Sequence, residues 1–216
     1  MKRLASIAVC MGILFAIASV SLGEDFTGVI YLGGGVSYTI PDFDDDWGDD
    51  AVQTVNVSGY SMDLDNSVGA YIKGGYFLSE FVAIEGLFQY LGEMTSEQAK
   101  AEWQDDVSIK GITLTVNAKG YLPGDMGSFM PYGVLGLGLG RFEYDGIIKE
   151  GTTAPDPSFA SENDDYTGLF LRGGGGCTVM VAENVGLEAE VTYGLGTGDI
   201  DVAKMITVTG GIIIIL

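Results

Sequence analysis

The side chains that could carry chemistry in this chain are mostly carboxylates. Its 216 residues include 30 Asp and Glu, 10 Lys and Arg, and no His. Histidine is the most frequent general acid–base group in enzymes and a common metal ligand. Neither a Ser–Lys pair nor an acidic dyad stands out by its spacing. The sequence therefore predicts a protein that is not an enzyme and that carries no cofactor.

One acidic run has the composition of a cation site. Residues 42–50 read DFDDDWGDD, and carboxylate oxygens are ligands that Ca²⁺ prefers. A solvated acidic loop is the competing interpretation. The candidate cation ligands are Asp42, Asp44, Asp45, Asp46, Asp49 and Asp50. The net charge of −20 repels phosphate backbones, so no nucleic-acid partner is expected.

The 34 glycines do not form a phosphate-binding loop. No run fits G-x-x-x-x-G-K-[ST], and no helix pattern follows one. We expect the glycines of 133–140 and 173–176 to relieve crowding and to allow strong strand curvature.

Alternation of apolar and other residues is the main structural signal. It is strict in residues 68–76, 82–90 and 185–193, where fifteen apolar-face positions carry no charge. A period of two residues is typical of β-strands. Weaker alternation predicts five more strands at 28–40, 107–122, 131–144, 167–181 and 202–216.

The connections between these strands differ in length. They are short after the second, fourth and sixth strands, and long after the first, third and fifth. Outer-membrane barrels have short periplasmic turns and longer external loops. We therefore predict an all-β fold, an eight-stranded antiparallel up-and-down transmembrane β-barrel. The seventh connection, 196–201, is short, although it lies at the same end as the three long ones. Together the four connections at that end, 42–65, 92–106, 145–165 and 196–201, hold 21 of the 30 acidic residues, and we expect them to form acidic extracellular loops.

The apolar faces of such a barrel must point to lipid, because an outward Lys or Arg near the bilayer midplane costs about 2–4 kcal/mol. The inner face then holds a lumen charge network of Lys73, Glu85, Lys119, Arg172, Glu188 and Glu190. Pairing Val82 with Tyr76 would place Glu85 opposite Lys73 and within reach of Lys119. The network is either a charged gate in a narrow polar path or a polar core, and we favour the core because buried charges must be paired. The facing of the glycine-rich fifth and sixth strands stays open.

Residues 1–23 have the features of a cleaved signal peptide, which leaves residues 24–216 as the barrel domain. Lys2 and Arg3 precede an apolar stretch, and Ser21 and Gly23 supply the small residues of a cleavage site. A retained membrane anchor is the alternative. After cleavage, Cys177 is the one remaining cysteine, so no intrachain disulfide is expected.

Three glycine-containing segments carry a family resemblance: Tyr31–Val36, Asn117–Pro123 and Pro131–Gly138. They resemble the small outer-membrane β-barrel, or porin, family, which is similar to the transmembrane domain of outer membrane protein A. The likeness covers about residues 26–216. It implies a Gram-negative outer-membrane location and insertion by the outer-membrane assembly machinery. Several barrel enzymes of that membrane depend on a catalytic His, which this chain lacks.

These observations lead to a functional expectation. The chain is expected to be an integral outer-membrane protein that acts as a structural and surface-interaction scaffold, with N- and C-termini periplasmic. Its expected partners are outer-membrane lipid and lipopolysaccharide, with divalent cations or a basic surface partner as further candidates. A porin-like channel for small solutes or ions is the alternative. A soluble periplasmic ligand-binding barrel is a third option, against which the outward apolar faces argue.

Overall fold

The computed structural model describes residues 27–41, 64–96, 107–122, 128–145, 164–200 and 203–216. Within them, eight antiparallel strands pair in chain order, and the first strand pairs with the last to close a barrel. The predicted eight-stranded antiparallel barrel is confirmed. The strands are β1 (Ile30–Pro41), β2 (Ser67–Ser79), β3 (Val82–Ser96), β4 (Val107–Tyr121), β5 (Phe129–Asp145), β6 (Asp164–Ala182), β7 (Val185–Thr197) and β8 (Lys204–Ile215).

The two ends of the barrel differ. Turns of two residues, Glu80–Phe81 and Glu183–Asn184, join β2 to β3 and β6 to β7 at one end, which we call the short-turn end. The start of β1 and the end of β8 meet there, since Leu216 N donates a hydrogen bond to Ile30 O at 2.9 Å. At the opposite, long-connection end, a short 3-10 helix, Gly198–Ile200, follows β7. The other connections at that end lie largely outside the described residues.

The outer surface of the barrel is apolar, as the alternation predicts. Val68, Ile72 and Leu135 are among the most exposed large apolar side chains of the described residues. The facing of the two glycine-rich strands is now clear: Leu135 and Leu137 of β5 point outward, whereas Arg172 of β6 points inward. None of the described residues forms a helix that is long and apolar enough to cross a bilayer.

The predicted register between β2 and β3 is wrong by two residues. The structure pairs Tyr76 with Ile84 rather than Val82, and Glu85 with Gly75 rather than Lys73. The strands continue to Ser79 and Val82, closer to the turn than the prediction assumed, and a bulge interrupts the ladder between Phe77 and Ser79. Such a bulge places an unpaired residue in one strand, which alternation alone does not reveal. Because the error is an even number, both strands keep the predicted inner faces.

Glycines allow neighbouring strands to approach on the inner side of the barrel. A Cβ at Gly138 would overlap the carbonyl oxygen of Leu114, and one at Gly174 would overlap that of Val191. Both glycines lie in strands that a narrow barrel must coil strongly. This close approach agrees with the curvature expected of the glycine runs.

Candidate functional site

A network of six buried charged side chains crosses the lumen, and Lys119 is at its centre. The Lys119 amine lies 2.9 Å from Glu85 Oε2, 3.1 Å from Glu188 Oε2 and 3.5 Å from Glu190 Oε2. Strands β3, β4 and β7 supply these groups, because each presents alternate residues to the lumen. Lys119 thereby joins carboxylates from opposite sides of the barrel.

Two further cations complete the network. Lys73 Nζ lies 3.3 Å from Glu85 Oε2 and forms an ion pair with Glu188. Arg172 forms an ion pair with Glu190 and lies within 3.3 Å of Thr192 Oγ1, to which its Nη2 donates. The structure therefore brings all six predicted lumen charges together. Three cations face three carboxylates, so the network is neutral overall.

Neutral side chains that were not predicted from the sequence also donate hydrogen bonds to the carboxylates of the network. Tyr31 donates to Glu85 Oε2 at 2.9 Å, and Asn117 donates to Glu85 Oε1 at 3.1 Å. Tyr132 donates to Glu190 Oε2 at 3.0 Å, and its ring lies 4.3 Å below the Lys119 amine. Asn117 and Lys119 are two residues apart on one strand, so their side chains point to the same face of the sheet. The inward position of Lys119 could therefore have predicted that Asn117 also points into the lumen.

An apolar cluster closes the lumen between this network and the short-turn end. Successive ring centroids of Tyr31, Phe77, Tyr121 and Tyr132 are 5.3, 5.4 and 5.3 Å apart, in tilted arrangements that favour aromatic contact. We call this group the short-turn cluster. Its buried members are Tyr31, Phe77, Ala83, Tyr121, Tyr132, Val134 and Ile213.

A second apolar cluster closes the long-connection end. Ile200, in the 3-10 helix, is fully buried in it. The sequence predicts only a short connection here, because the segment has no period that marks an inward residue. We call the group the long-connection cluster. Its buried members are Leu64, Leu91, Met94, Ile109, Phe142, Phe170, Ile200, Ala203 and Met205.

A layer of polar side chains lies between the charge network and the long-connection cluster. On β3, for example, Gln89 comes between Glu85 of the network and Leu91 of the cluster. Buried polar atoms of this layer have no hydrogen-bond partner among the described residues. Two nitrogens of the charge network, Arg172 Nε and Nη1, share this property, and the atoms of the layer itself are Ser37 Oγ, Tyr71 OH, Gln89 Nε2 and Thr115 Oγ1. We call this group the polar layer.

The predicted cation site cannot be placed in this geometry. Its six aspartates, all within 42–50, lie outside the described residues. Among the residues that the structure describes, no group of three or more Cys, Asp or Glu is arranged to hold a metal ion.

A closed barrel with apolar side chains outside and paired charges inside defines an integral membrane β-barrel protein. The sequence matches the family model described as outer membrane protein beta-barrel domain over residues 6–211. The chain belongs to this family, and it is an outer-membrane barrel protein of the Gram-negative type. The resemblance inferred from the glycine-containing segments is confirmed.

Solved structures share the fold at low sequence identity. Neisserial surface protein A, NspA, is 13% identical with a TM-score of 0.57, over 86% of this chain and 96% of that chain. OprG from Pseudomonas aeruginosa is 17% identical with a TM-score of 0.55, over 88% of this chain and 96% of that chain. Ail, the attachment invasion locus protein of Yersinia pestis, is 17% identical with a TM-score of 0.52, over 88% of this chain and 99% of that chain. No curated protein sequence matches this chain significantly.

Proposed function

We propose that this protein is a non-conducting scaffold of the outer membrane that presents its long connections at the cell surface. The short-turn end and both termini face the periplasm in this proposal. The acidic connections form the working surface, and the barrel holds them in place without catalytic activity.

The neutral charge network between two apolar clusters is the observation that carries the proposal. Lys119 and Glu188 are buried and paired, so an ion or solute could pass only by separating them. Removing one partner from a buried pair costs about 3–5 kcal/mol. Beyond the network, a permeating solute would also meet the rings of Phe77 and Tyr121 at one end and the side chains of Ile200 and Phe170 at the other.

The asymmetry of the connections supports the proposed orientation. Outer-membrane barrels keep short turns in the periplasm and longer loops outside. With an even number of strands, the start of β1 and the end of β8 are on the short-turn side. A protease added to intact cells should cleave this protein within residues 42–63 or 146–163 and leave the turn at Glu80–Phe81 uncut.

A porin-like pathway for small solutes or ions is the second candidate, and the polar layer favours it. Hydroxyl and amide groups that have no hydrogen-bond partner among the described residues, such as Tyr71 OH and Gln89 Nε2, could line a hydrated segment of a path. This layer occupies only the part of the lumen between the charge network and the long-connection cluster. Both apolar clusters would have to open for a path to be continuous.

Planar-bilayer recording separates the two candidates. The barrel, refolded and checked for its compact form by gel mobility before and after heating, should give no steady discrete conductance. Regular conductance steps that appear with the folded sample and vanish with the boiled one would support the channel instead.

The surface role has its own test. We propose that the acidic connections meet divalent cations or a basic surface partner. The triple variant Asp44→Asn, Asp45→Asn and Asp46→Asn should release less heat than the parent barrel when it is titrated with Ca²⁺ in a calorimeter. It should also adhere less to surfaces that carry basic protein. Equal heat and equal adhesion would mean that these carboxylates serve only solubility.

A further inference from the structure

The Ile200 side chain occupies a socket made by glycines at the long-connection end. A Cβ at Gly140 would lie 3.1 Å from Ile200 Cδ1, and a Cβ at Gly168 or Gly196 would lie 2.6 or 3.0 Å from Ile200 Cγ1. The three glycines come from β5, β6 and β7, and we call them the glycine socket. Three neighbouring strands therefore lack a side chain at one place, which leaves room for an isoleucine that comes from a connection.

The segment that carries Ile200 is a short loop with a fixed base. Gly196 N donates a hydrogen bond to Ala203 O at 2.7 Å, directly beyond the last pair of the β7–β8 ladder. Above this base the 3-10 helix begins at Gly198, whose φ of 73° is a conformation that glycine adopts without strain. Ala203 N donates to Ile200 O at 3.0 Å and holds the helix to the base. The helix can therefore move about its base without disturbing the ladder below it.

The polar layer that Ile200 covers favours such a movement. Ser37 Oγ, Tyr71 OH, Gln89 Nε2 and Thr115 Oγ1 are buried and have no hydrogen-bond partner among the described residues. A buried polar atom without a partner is destabilising, because it has lost its hydrogen bonds to water. Entry of water would restore these bonds. The gain offsets part of the apolar contact that Ile200 loses when it leaves the glycine socket.

The opposite end of the lumen is closed more firmly. The Lys119 amine is paired with Glu85 and Glu188 at 2.9 and 3.1 Å, and the rings of Phe77 and Tyr121 pack beyond it with centroids 5.4 Å apart. All of these side chains belong to strands. Opening at this end would separate buried charges from their partners, which is strongly unfavourable.

We propose that Gly198–Ile200 is a lid that opens the lumen from the long-connection end only. In the closed state Ile200 fills the glycine socket and shields the polar layer from solvent. In the open state Ile200 leaves the socket, water reaches the polar layer, and the charge network stays intact. The lumen then becomes a pocket with one entrance rather than a pore, so the lid goes beyond the scaffold role without requiring conduction.

The test measures how fast a small neutral thiol reagent reaches a cysteine in the polar layer. Ser37→Cys supplies the target with little change in shape, and the native cysteines are removed by Cys10→Ser and Cys177→Ser. Modification by methyl methanethiosulfonate is followed by mass spectrometry on the full chain refolded in detergent micelles. The reaction should be far slower in the folded parent than in urea. Ile200→Ala should accelerate it by at least about tenfold, because much of the contact energy of a buried isoleucine is lost from the closed state.

The matched control is Ile109→Ala. Both isoleucines belong to the long-connection cluster and are 0% exposed, but Ile109 lies on β4 rather than on the lid. Ile109→Ala should therefore accelerate the reaction much less than Ile200→Ala, and so should Phe77→Ala at the short-turn end. Equal acceleration by the two isoleucine variants would indicate a general loosening of the cluster and overturn the lid. A faster reaction with Phe77→Ala than with Ile200→Ala would overturn the opening from one end.

Gly140→Ala tests the glycine socket with Ile200 intact. The added Cβ would press on Ile200 Cδ1, so labelling should be faster than in the parent, although slower than with Ile200→Ala. No change with Gly140→Ala, or a folded parent that reacts as fast as the chain in urea, would contradict the proposal. Gel mobility without heating shows that each variant is folded before it is labelled. Because the measurement does not involve ion flow, the lid and the non-conducting scaffold can fail separately.

Discussion

Lys119 Nζ lies 2.9 Å from Glu85 Oε2, and the two residues are diagonal neighbours across β3 and β4. Glu85 pairs directly with Asn117, so the lysine reaches back toward it from two residues further along β4. Both side chains are almost completely buried. Each charge therefore depends on the other for the interactions that water would otherwise provide.

Lys119→Met should destabilise the barrel strongly. It leaves Glu85, Glu188 and Glu190 with only Lys73 and Arg172 as cations. Breaking a buried pair from one side costs about 3–5 kcal/mol. Urea titration of the barrel refolded in phosphatidylcholine vesicles measures the free energy of unfolding.

The matched control is Lys110→Met, which removes a half-exposed lysine 4.0 Å from Glu93. Lys110→Met should change the free energy of unfolding by no more than about 1 kcal/mol. Adding Glu85→Gln to Lys119→Met should recover part of the lost stability, because one uncompensated carboxylate is removed. Equal losses for the two lysine variants would show that the network does not support the fold.

Ile200→Ala should also destabilise the barrel, although the residue is in a connection. Its side chain is fully buried in the long-connection cluster. Truncating a buried Ile to Ala costs about 2–5 kcal/mol through lost transfer energy and the cavity that remains. The same urea titration should show a smaller change for Ile206→Ala, whose side chain faces lipid and leaves no internal cavity. A larger change for Ile206→Ala would mean that Ile200 does not plug the barrel.

Much of the fold could be predicted from the sequence because alternation records which face each residue occupies. Lys73 and Glu85 alternate with apolar residues, and in a narrow bilayer barrel the charged face has to point inward. The facing of an entire strand then follows from one charged residue.

Other features have no signature in the sequence. The bulge between Phe77 and Ser79 shifts the pairing but not the alternation. Glycines at 133, 136 and 138 remove the contrast between the two faces of β5, so Tyr132 could not be assigned to the network. Ile200 lies outside any strand, where periodicity carries no information about burial.

Gly138→Ala should impair folding because a Cβ at this position would overlap the carbonyl oxygen of Leu114. Since the obstacle is backbone rather than a flexible side chain, the strands must separate, and overpacking of this kind costs about 1–3 kcal/mol. The folded fraction after refolding, read from gel mobility without heating, should fall. Gly120→Ala is the control, since no atom of the described residues, apart from its own chain neighbours, lies within 4 Å of the added Cβ. A similar loss in both variants would indicate a general effect of strand glycines rather than close strand approach.

The position of the bilayer along the outer wall can be tested with two arginine substitutions, one within β4 and one directly after its end. The outward apolar row runs from Ile112 at one edge to Leu122 at the other, with Val116 near its middle. Val116→Arg should lower the free energy of unfolding in phosphatidylcholine vesicles by about 2–4 kcal/mol, whereas Leu122→Arg should cost about 0–1 kcal/mol, because the penalty for a lipid-facing cation falls toward the interface. Both residues are about equally exposed on the wall, so the difference reports position in the bilayer rather than packing. Equal costs for the two variants would place Val116 outside the hydrocarbon core and contradict a membrane-spanning position for this row.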